Sequence, residues 1–282
     1  MNKNFLKAAI LGSALLLANT NTNAQTIKIF CWNVLSLETT AGGTSNPGHS
    51  VTPYVNAIKL QNPDIICMNE FTTGGNYSTE KMAEFEAAMN MMGYFIKSYV
   101  KNNPGYYGNV ILSKYPIIAS DSHRMDYKHI NGEGNYQSFG YQTGKYLEQY
   151  GADQRSVGYA DIAVPVSEGS KEYKIVRIVC SHFDHEGPET IRTNHANESV
   201  AFCSLDNPPY PTIMCGDLNT SNTGTLSPLM NLGDQIGYHW VDHIFAFPKG
   251  AWTKVSFESP TNVYEGKTLS DHQPVVAVVT LK

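Results

Sequence analysis

Ile213-Met214-Cys215-Gly216-Asp217-Leu218-Asn219 is a short apolar strand that breaks at a glycine and ends in a carboxylate and a carboxamide. Residues two apart on an extended chain point the same way, so Asp217 and Asn219 can share a face. Gly216 removes a side chain at a point where a ligand would approach the backbone. Taken alone, Gly-Asp-x-Asn is also the composition of an ordinary turn. The same pattern, an apolar strand ending in a polar residue, recurs at least five times along the chain. That recurrence decides the reading.

Working outward, Thr26 to Val34 alternates and then turns apolar, and predicts a first strand ending at Asn33. A Gly/Ser/Thr/Asn loop runs to about Ser50. Val51 to Leu60 predicts a helix with Val51, Tyr54, Val55 and Ile58 on one face, stopped by Asn62-Pro63-Asp64. Ile65 to Glu70 is a second buried strand ending in an acid. Thr79 to Met92 predicts a helix capped by Thr79, with a core stripe of Met82, Phe85, Met89 and Met92, ended by Gly93. Tyr94 to Val100 and Gly108 to Ser113 follow as strands, the latter continuing through Lys114 to Ile118 after a bend. Residues 120–151 have no clear period and carry Tyr127, Tyr136, Tyr141, Tyr146 and Tyr150, either a self-packed flap or a substrate-facing rim. Arg155 to Val164 and Tyr173 to His182 are strands, and Pro188 to Ser204 a helix. His239 to Phe245 is a strand, with Asp242 in the middle of apolar neighbours. Ser270-Asp271-His272 directly precedes a last strand, Pro274 to Leu281. No internal repeat of fixed spacing is seen.

Residues 1–24 have the form of a secretory signal peptide: Lys3 and Lys7, an apolar run from Ala8 to Ala18, and small residues up to Ala24. An exported protein, periplasmic or secreted and not transmembrane, is therefore expected. Residues 25–282 are enough for one catalytic domain, expected to be a monomer with no stable protein partner. This part carries 18 basic and 25 acidic residues, a formal charge of −7, and no Lys/Arg run. The whole-molecule field does not favour tight non-specific binding to polyanions. Five cysteines is an odd number, and Cys31, Cys67, Cys180 and Cys215 sit in apolar strands. They are expected to be buried free thiols rather than zinc ligands.

The strand ends supply Asn33, Glu70, His182, Asp217, Asn219, Asp242, Asp271 and His272. Hard oxygen donors with two histidines and no well-placed thiolate suit Mg²⁺ or Mn²⁺, with Ca²⁺ as a further choice, better than zinc. Hydrolysis of a phosphate ester needs such a set: a cation against the phosphoryl oxygens, an acid to orient water, and donors for the developing charge. Each residue also has a structural alternative. Asn33 suits a turn, His182 a satisfied core histidine, and Asp242 a buried acid bonded to backbone. The coincidence of all of them at sequential strand ends favours a shared site.

The motifs resemble those of the endonuclease/exonuclease/phosphatase superfamily across the whole of residues 25–282. They run in the family order: Cys31-Trp32-Asn33, Pro63 to Glu70, Gly108 to Ser113, Ser181-His182-Phe183, Gly216-Asp217-Leu218-Asn219, Val241 to Ile244, and Ser270-Asp271-His272-Gln273-Pro274-Val275. The resemblance implies an α/β (α+β) four-layer sandwich of two stacked mixed, mostly antiparallel sheets flanked by helices. It implies a metal held by Glu70 with Asn33 and Asp271. It implies a catalytic set of His182, Asp217, Asn219, Asp242 and His272, with Asp242 fixing the His272 tautomer. Asn109, in the third motif, and Arg155, where the family often keeps a basic residue, are expected to bind substrate. The implied activity is metal-dependent phosphoesterase, the substrate being a nucleic acid, a phospholipid or an inositol phosphate. The alternative is a catalytically idle binding module on the same scaffold. One departure is Asn69, where many members carry Gln; no loss of activity is expected from it. His185 has no assignment.

Overall fold

The computed structural model describes residues 26–38, 50–73, 80–98, 107–125, 155–167, 169–185, 188–206 and 209–282. The leader expected at 1–24, most of the loop before Ser50, the Thr79 cap and the tyrosines of segment 120–151 lie outside these residues.

Strands and helices are numbered in chain order. One six-stranded sheet holds β11 (Trp252–Glu258), β14 (Val275–Leu281), β1 (Thr26–Asn33), β2 (Ile65–Thr72), β4 (Tyr107–Ser113) and β3 (Met92–Lys97), in that spatial order. The other holds β5 (Ile117–Arg124), β6 (Ser156–Pro165), β7 (Tyr173–Ser181), β8 (Thr212–Asp217), β10 (Asp242–Phe247) and β9 (Asp234–His239). Each sheet has one parallel pair at its centre, β1 with β2 and β7 with β8, and is otherwise antiparallel. A short hairpin, β12 (Val263–Tyr264) and β13 (Lys267–Thr268), stands apart. Among the described residues there are four α-helices: α1 (Thr52–Lys59), α2 (Glu80–Met89), α3 (Glu189–Cys203) and α4 (Ser227–Leu232).

Side-chain alternation sorts the core into three layers. Ile27, Ile29, Cys31, Ile65 and Cys67 face Ile178, Cys180, Ile213, Cys215 and Ile244 between the sheets. The intervening Phe30, Trp32, Ile66 and Met68 point outward onto Tyr54, Val55 and Ile58 of α1 and Met82 and Phe85 of α2. Val179, Met214 and Phe245 point the other way, onto α3 and α4. The order is helices, sheet, sheet, helices, the α/β sandwich expected. Full burial of each such aliphatic or aromatic side chain contributes about 1.5–3 kcal/mol. All five cysteines are buried free thiols.

Several elements differ from expectation. Helix α2 ends at Met89, because Asn90 turns left-handed (φ 54°) behind it. Met92 is then an exposed residue of β3 rather than part of the core stripe. The bend after Ser113 does not continue β4 but carries the chain to the opposite sheet as β5. Residues 120–124, expected to be irregular, belong to β5. Asp242 is the first residue of β10, not its middle, since Trp240 (φ 53°) turns the β9–β10 hairpin just before it.

Candidate active site

The inner faces of four central strands continue past their cysteines by one more inward position. Cys31 leads to Asn33, Cys67 to Asn69, Cys180 to His182 and Cys215 to Asp217, each two residues on and so on the same face. The polar layer therefore lies directly on a layer of small thiols. All four polar side chains are buried. Asp217 is at their centre. Asn33 Nδ2 donates to its Oδ2 at 3.0 Å, and His182 Nε2 lies 3.3 Å from the same oxygen. Its Oδ1 accepts from the Asn219 amide at 2.9 Å, an Asx turn that holds Asn219 left-handed at φ 49°. Burial alone would raise the Asp217 carboxyl, but His182, then His272, and the Asn33 amide hold it far below the ordinary carboxylate range.

Gly216 is required by a neighbouring strand, not by a ligand. A Cβ there would collide with the Ser181 carbonyl oxygen of β7. That carbonyl also accepts from Asn69 Nδ2 at 3.0 Å. Asn69 Oδ1 in turn accepts the Asp217 amide N–H at 2.8 Å, and its Nδ2 donates to Asn109 Oδ1 at 2.9 Å. One carboxamide thus ties the two sheets together under the site. Sequence reasoning noted Asn69 only as a departure from glutamine and missed this role; its place beside Glu70 at a strand end was the available signal.

His272 enters from the loop before β14. Ser270 Oγ donates to the Asn33 carbonyl at 2.7 Å and accepts the His272 amide at 3.1 Å, while Trp32 Nε1 donates to the His272 carbonyl at 2.9 Å. These three bonds explain the Ser-x-His spacing: the serine pins the loop to the end of β1. His272 Nδ1 is 2.7 Å from Asp242 Oδ2, and its Nε2 faces Asp217 Oδ2 at 3.7 Å. Burial opposes charge on the ring, but Asp242 and then Asp217 push it up to about 9. The Asp242 carboxyl is also raised, by burial, against the His272 bond. Above them lies Trp240, its indole 4.9 Å from the imidazole and inclined at 40°. Trp240 is a site residue that sequence reasoning missed.

His182 has a different state. Arg155 Nη1 lies 3.1 Å from its Nδ1, and a guanidinium can only donate, so Nδ1 accepts, while Nε2 lies 3.3 Å from Asp217 Oδ2 and 3.1 Å from Asn219 Nδ2. Burial, then the Arg155 charge, lower the ring's pKa, leaving it neutral near pH 7. Arg155 also donates to Tyr107 Oη at 2.9 Å and reaches His185 Nδ1 at 2.9 Å. It is buried behind His182, so these bonds aim it at protein groups rather than outward at a phosphate. Asn109, likewise expected at the substrate, is buried with its amide ends on Asn69 and on the Ser156 carbonyl, 3.0 Å away.

The hard donors lie on the first sheet's side. Glu70 sits on a bulge of β2 with φ 53°, and its Oε1 is 3.8 Å from His182 Nε2. A left-handed non-glycine residue costs on the order of 1–3 kcal/mol and is kept where surrounding structure over-determines it. Asn33 Oδ1 accepts from the Leu35 amide at 3.0 Å, and a carbonyl oxygen retains a second lone pair. Leu35, Ser36 and Leu37 are all left-handed (φ 45°, 52° and 56°), turning the chain sharply at this rim. Asp271 is exposed beside His272, its Oδ1 3.4 Å from Ser270 Oγ. A carboxylate, a carboxamide oxygen and a further acid fit a hard divalent cation. A second donor cluster, Asp217, Asp242 and His272, has ligand atoms within 4.8 Å of one another. It fits a metal less well, because the His272–Asp242 contact holds a proton and keeps the ring cationic.

A family model described as "Endonuclease/Exonuclease/phosphatase family" matches residues 30–272. The chain belongs to that family. Family members are hydrolases that act on phosphate esters. No curated protein matches the chain in sequence. Among solved structures, an endonuclease/exonuclease/phosphatase from Bacteroides vulgatus aligns with TM-score 0.65 and 17% identity, over 92% of this chain and 100% of its own. The human Nocturnin catalytic domain with bound sulfate gives TM-score 0.65 and 15% identity over 91% and 95%. A mannosyl-6-phosphatase from Bacteroides thetaiotaomicron gives 0.60 and 13% over 90% and 100%. At these identities the likeness is one of fold. Among the described residues, no helix is long and apolar enough to cross a membrane.

Proposed function

We propose that this chain is a divalent-metal-dependent phosphoesterase that hydrolyses a phosphate ester with activated water. The observation carrying this reading is Asp217: a buried carboxylate kept ionised by two histidines in opposite protonation states. Glu70, with Asn33 and Asp271, would hold Mg²⁺ or Mn²⁺, which would supply charge against the phosphoryl oxygens when bound. Asp217 accepts a hydrogen bond from the attacking water and turns its lone pair toward phosphorus. Cationic His272 donates Nε2–H to a phosphoryl oxygen as negative charge builds there, with Asp242 holding its Nδ1–H. Neutral His182 keeps Asp217 in place, and the Asn219 carboxamide borders the phosphate. The new bond joins water oxygen to phosphorus, the ester P–O bond breaks, and the leaving oxygen ends protonated.

The relatives' names span a sulfate-bound catalytic domain and a sugar phosphatase, so a phosphate-sized anion at this site agrees with both. Export through the leader at 1–24 is part of the proposal. Purified protein should hydrolyse at least one of bis-p-nitrophenyl phosphate, DNA, RNA, sphingomyelin, inositol phosphates or mannose 6-phosphate with Mg²⁺, and none with EDTA. Turnover indifferent to EDTA, or none on the whole panel, rejects it.

A further inference from the structure

Trp240 is 62% exposed and Tyr238, two residues before it, is 52% exposed. Both are on the β9–β10 hairpin: Tyr238 stacks on His243 at 5.2 Å and 9°, and Trp240 is tilted against the site residue His272 at 4.9 Å and 40°. An indole left this open against a polar site is the unusual observation. The turn is also costly. Trp240 is left-handed at φ 53°, a conformation that asparagine or glycine would adopt with less strain. Burial of the indole does not offset this, since most of it faces solvent.

The geometry points to Trp240 as a substrate-specificity residue, its open indole face taking a flat ring on the alcohol side of the phosphate ester. The inference rests on the phosphoesterase reading and narrows it to ring-bearing esters, whether the ring is a nucleobase or a sugar. A phosphate within reach of His272 Nε2 and Asn219 must lie beside the indole, because His272 is the ring on which the indole rests. A substituent leaving the phosphate on that side passes over an apolar plane. Base–aromatic stacking and the apolar face of a sugar ring both use such a plane, whereas a glycerol chain offers nothing flat to it.

The chain has three tryptophans, and Trp32 and Trp252 are buried, so Trp240 is the one that a ligand in the site can reach. Adenosine 5′-monophosphate, mannose 6-phosphate, glycerol 3-phosphate and inorganic phosphate should each be titrated in the presence of Mg²⁺. Fluorescence follows the native protein, and calorimetry follows all variants. We expect adenosine monophosphate or mannose 6-phosphate to quench fluorescence and to bind about tenfold or more tighter than glycerol 3-phosphate. The preferred ring identifies its source. That preference should vanish in Trp240→Ala and survive in Trp240→Phe, each affinity being taken relative to inorganic phosphate bound by the same variant. Equal affinity for ring-bearing and ring-free phosphates, or a preference that persists in Trp240→Ala, overturns the assignment while leaving the phosphoesterase reading intact. If none of the four binds, inorganic phosphate included, this inference fails, and turnover on the substrate panel with Mg²⁺ or EDTA decides the phosphoesterase reading separately.

Discussion

The two sheets are built by the same path and carry opposite chemistry. In the first, β1 crosses through α1 to a parallel β2, and β4 and β3 then complete the order β1-β2-β4-β3. In the second, β7 crosses through α3 to a parallel β8, and the order is β7-β8-β10-β9. The outer neighbours match too, β14 beside β1 and β6 beside β7. Equivalence reaches single bonds: the Val34 amide meets the Asn69 carbonyl at 3.0 Å, and the Phe183 amide meets the Asp217 carbonyl at 3.0 Å. By this rule Asn33 corresponds to His182 and Asn69 to Asp217. One half places neutral carboxamides in the shared layer and the other ionisable groups. A carboxamide in the low-dielectric centre can satisfy donors and acceptors at once. A carboxylate there is costly unless opposed, and its cost is what makes it reactive.

The largest expected effect comes from exchanging those roles. Asp217→Asn should lower turnover by at least about two to four orders of magnitude, the range for a residue that handles protons or orients the nucleophile. Its melting temperature should also fall, because a carboxamide turns one donor toward the Asn33, His182 and Asn219 groups that the two Asp217 oxygens now accept from, but the loss of turnover is the dominant effect. Asn69→Ala should do the reverse in emphasis. It leaves the Asp217 amide and the Ser181 carbonyl without their partner, at about 1–3 kcal/mol for each unsatisfied group. Denaturant melts with parallel kinetics separate the two variants. If Asn69→Ala is as stable as the parent, the bracing role given to the Asn69 carboxamide is wrong.

Next in size is the close packing around β8. Gly216→Ala sets a methyl against a backbone carbonyl that cannot rotate away, and should cost about 1–3 kcal/mol or more. Cys215→Leu, one residue back, would push the sheets apart where Cys215 Sγ lies 3.5 Å from Cys67 Sγ. Its expected cost is of similar size, about 1–3 kcal/mol. Cys215→Ala should cost less than Cys215→Leu, because the thiols act here as small spacers. Hydrogen bonding among them and then burial keep Cys31 and Cys67 protonated well above the ordinary thiol range. Urea midpoints rank the three variants. A Leu variant as stable as the Ala variant would show that the sheets do not need to approach closely at this layer.

What was legible in the sequence followed from burial. β1, β2, β8 and β14 are central strands with near-continuous apolar runs, and a polar residue at the end of such a run stands out. β9, β11 and the β5 continuation escaped notice because they are edge strands: β11 exposes Thr253 through Ser256, and β5 exposes Ile118 through Asp121. One-sided contact leaves no apolar run to find. The six residues of α4 are too few to show a helical period. The topological repeat was invisible because equivalent positions hold unlike residues. For the site, strand-end residues were readable one at a time, and Glu70, His182, Asp217, Asn219, Asp242 and His272 do come together. Asn69, Ser270 and Trp240 act through partners far away in sequence, which spacing cannot reveal. Arg155 and Asn109 were placed on the substrate side by the family resemblance; their three-dimensional contacts are with Tyr107 and His182, and with Asn69 and the Ser156 carbonyl.

The smallest effect tests the outer layers of the same comparison. α1 meets its sheet through Tyr54, Val55 and Ile58, whereas α3 buries His195 against Phe183. The Asp184 amide donates to His195 Nδ1 at 3.2 Å, and burial is the main cause that lowers the ring to about 3. The fold therefore holds a neutral histidine, while the unfolded chain protonates near pH 6.5. Between those two values the unfolded state binds the extra proton, so stability falls as pH drops from about 6.5 toward 3 and is fully retained above 6.5. The slope from this residue is at most about 1.4 kcal/mol per pH unit, or about 2 kcal/mol between pH 6.5 and 5. His243, lowered by burial to about 4 against its bond to the Thr220 carbonyl, adds to the same window from the same half. His195→Gln should be less stable than the parent at pH 7.5 yet show a flatter decline by pH 5. Parallel slopes for the two proteins would mean that the acid sensitivity does not come from His195.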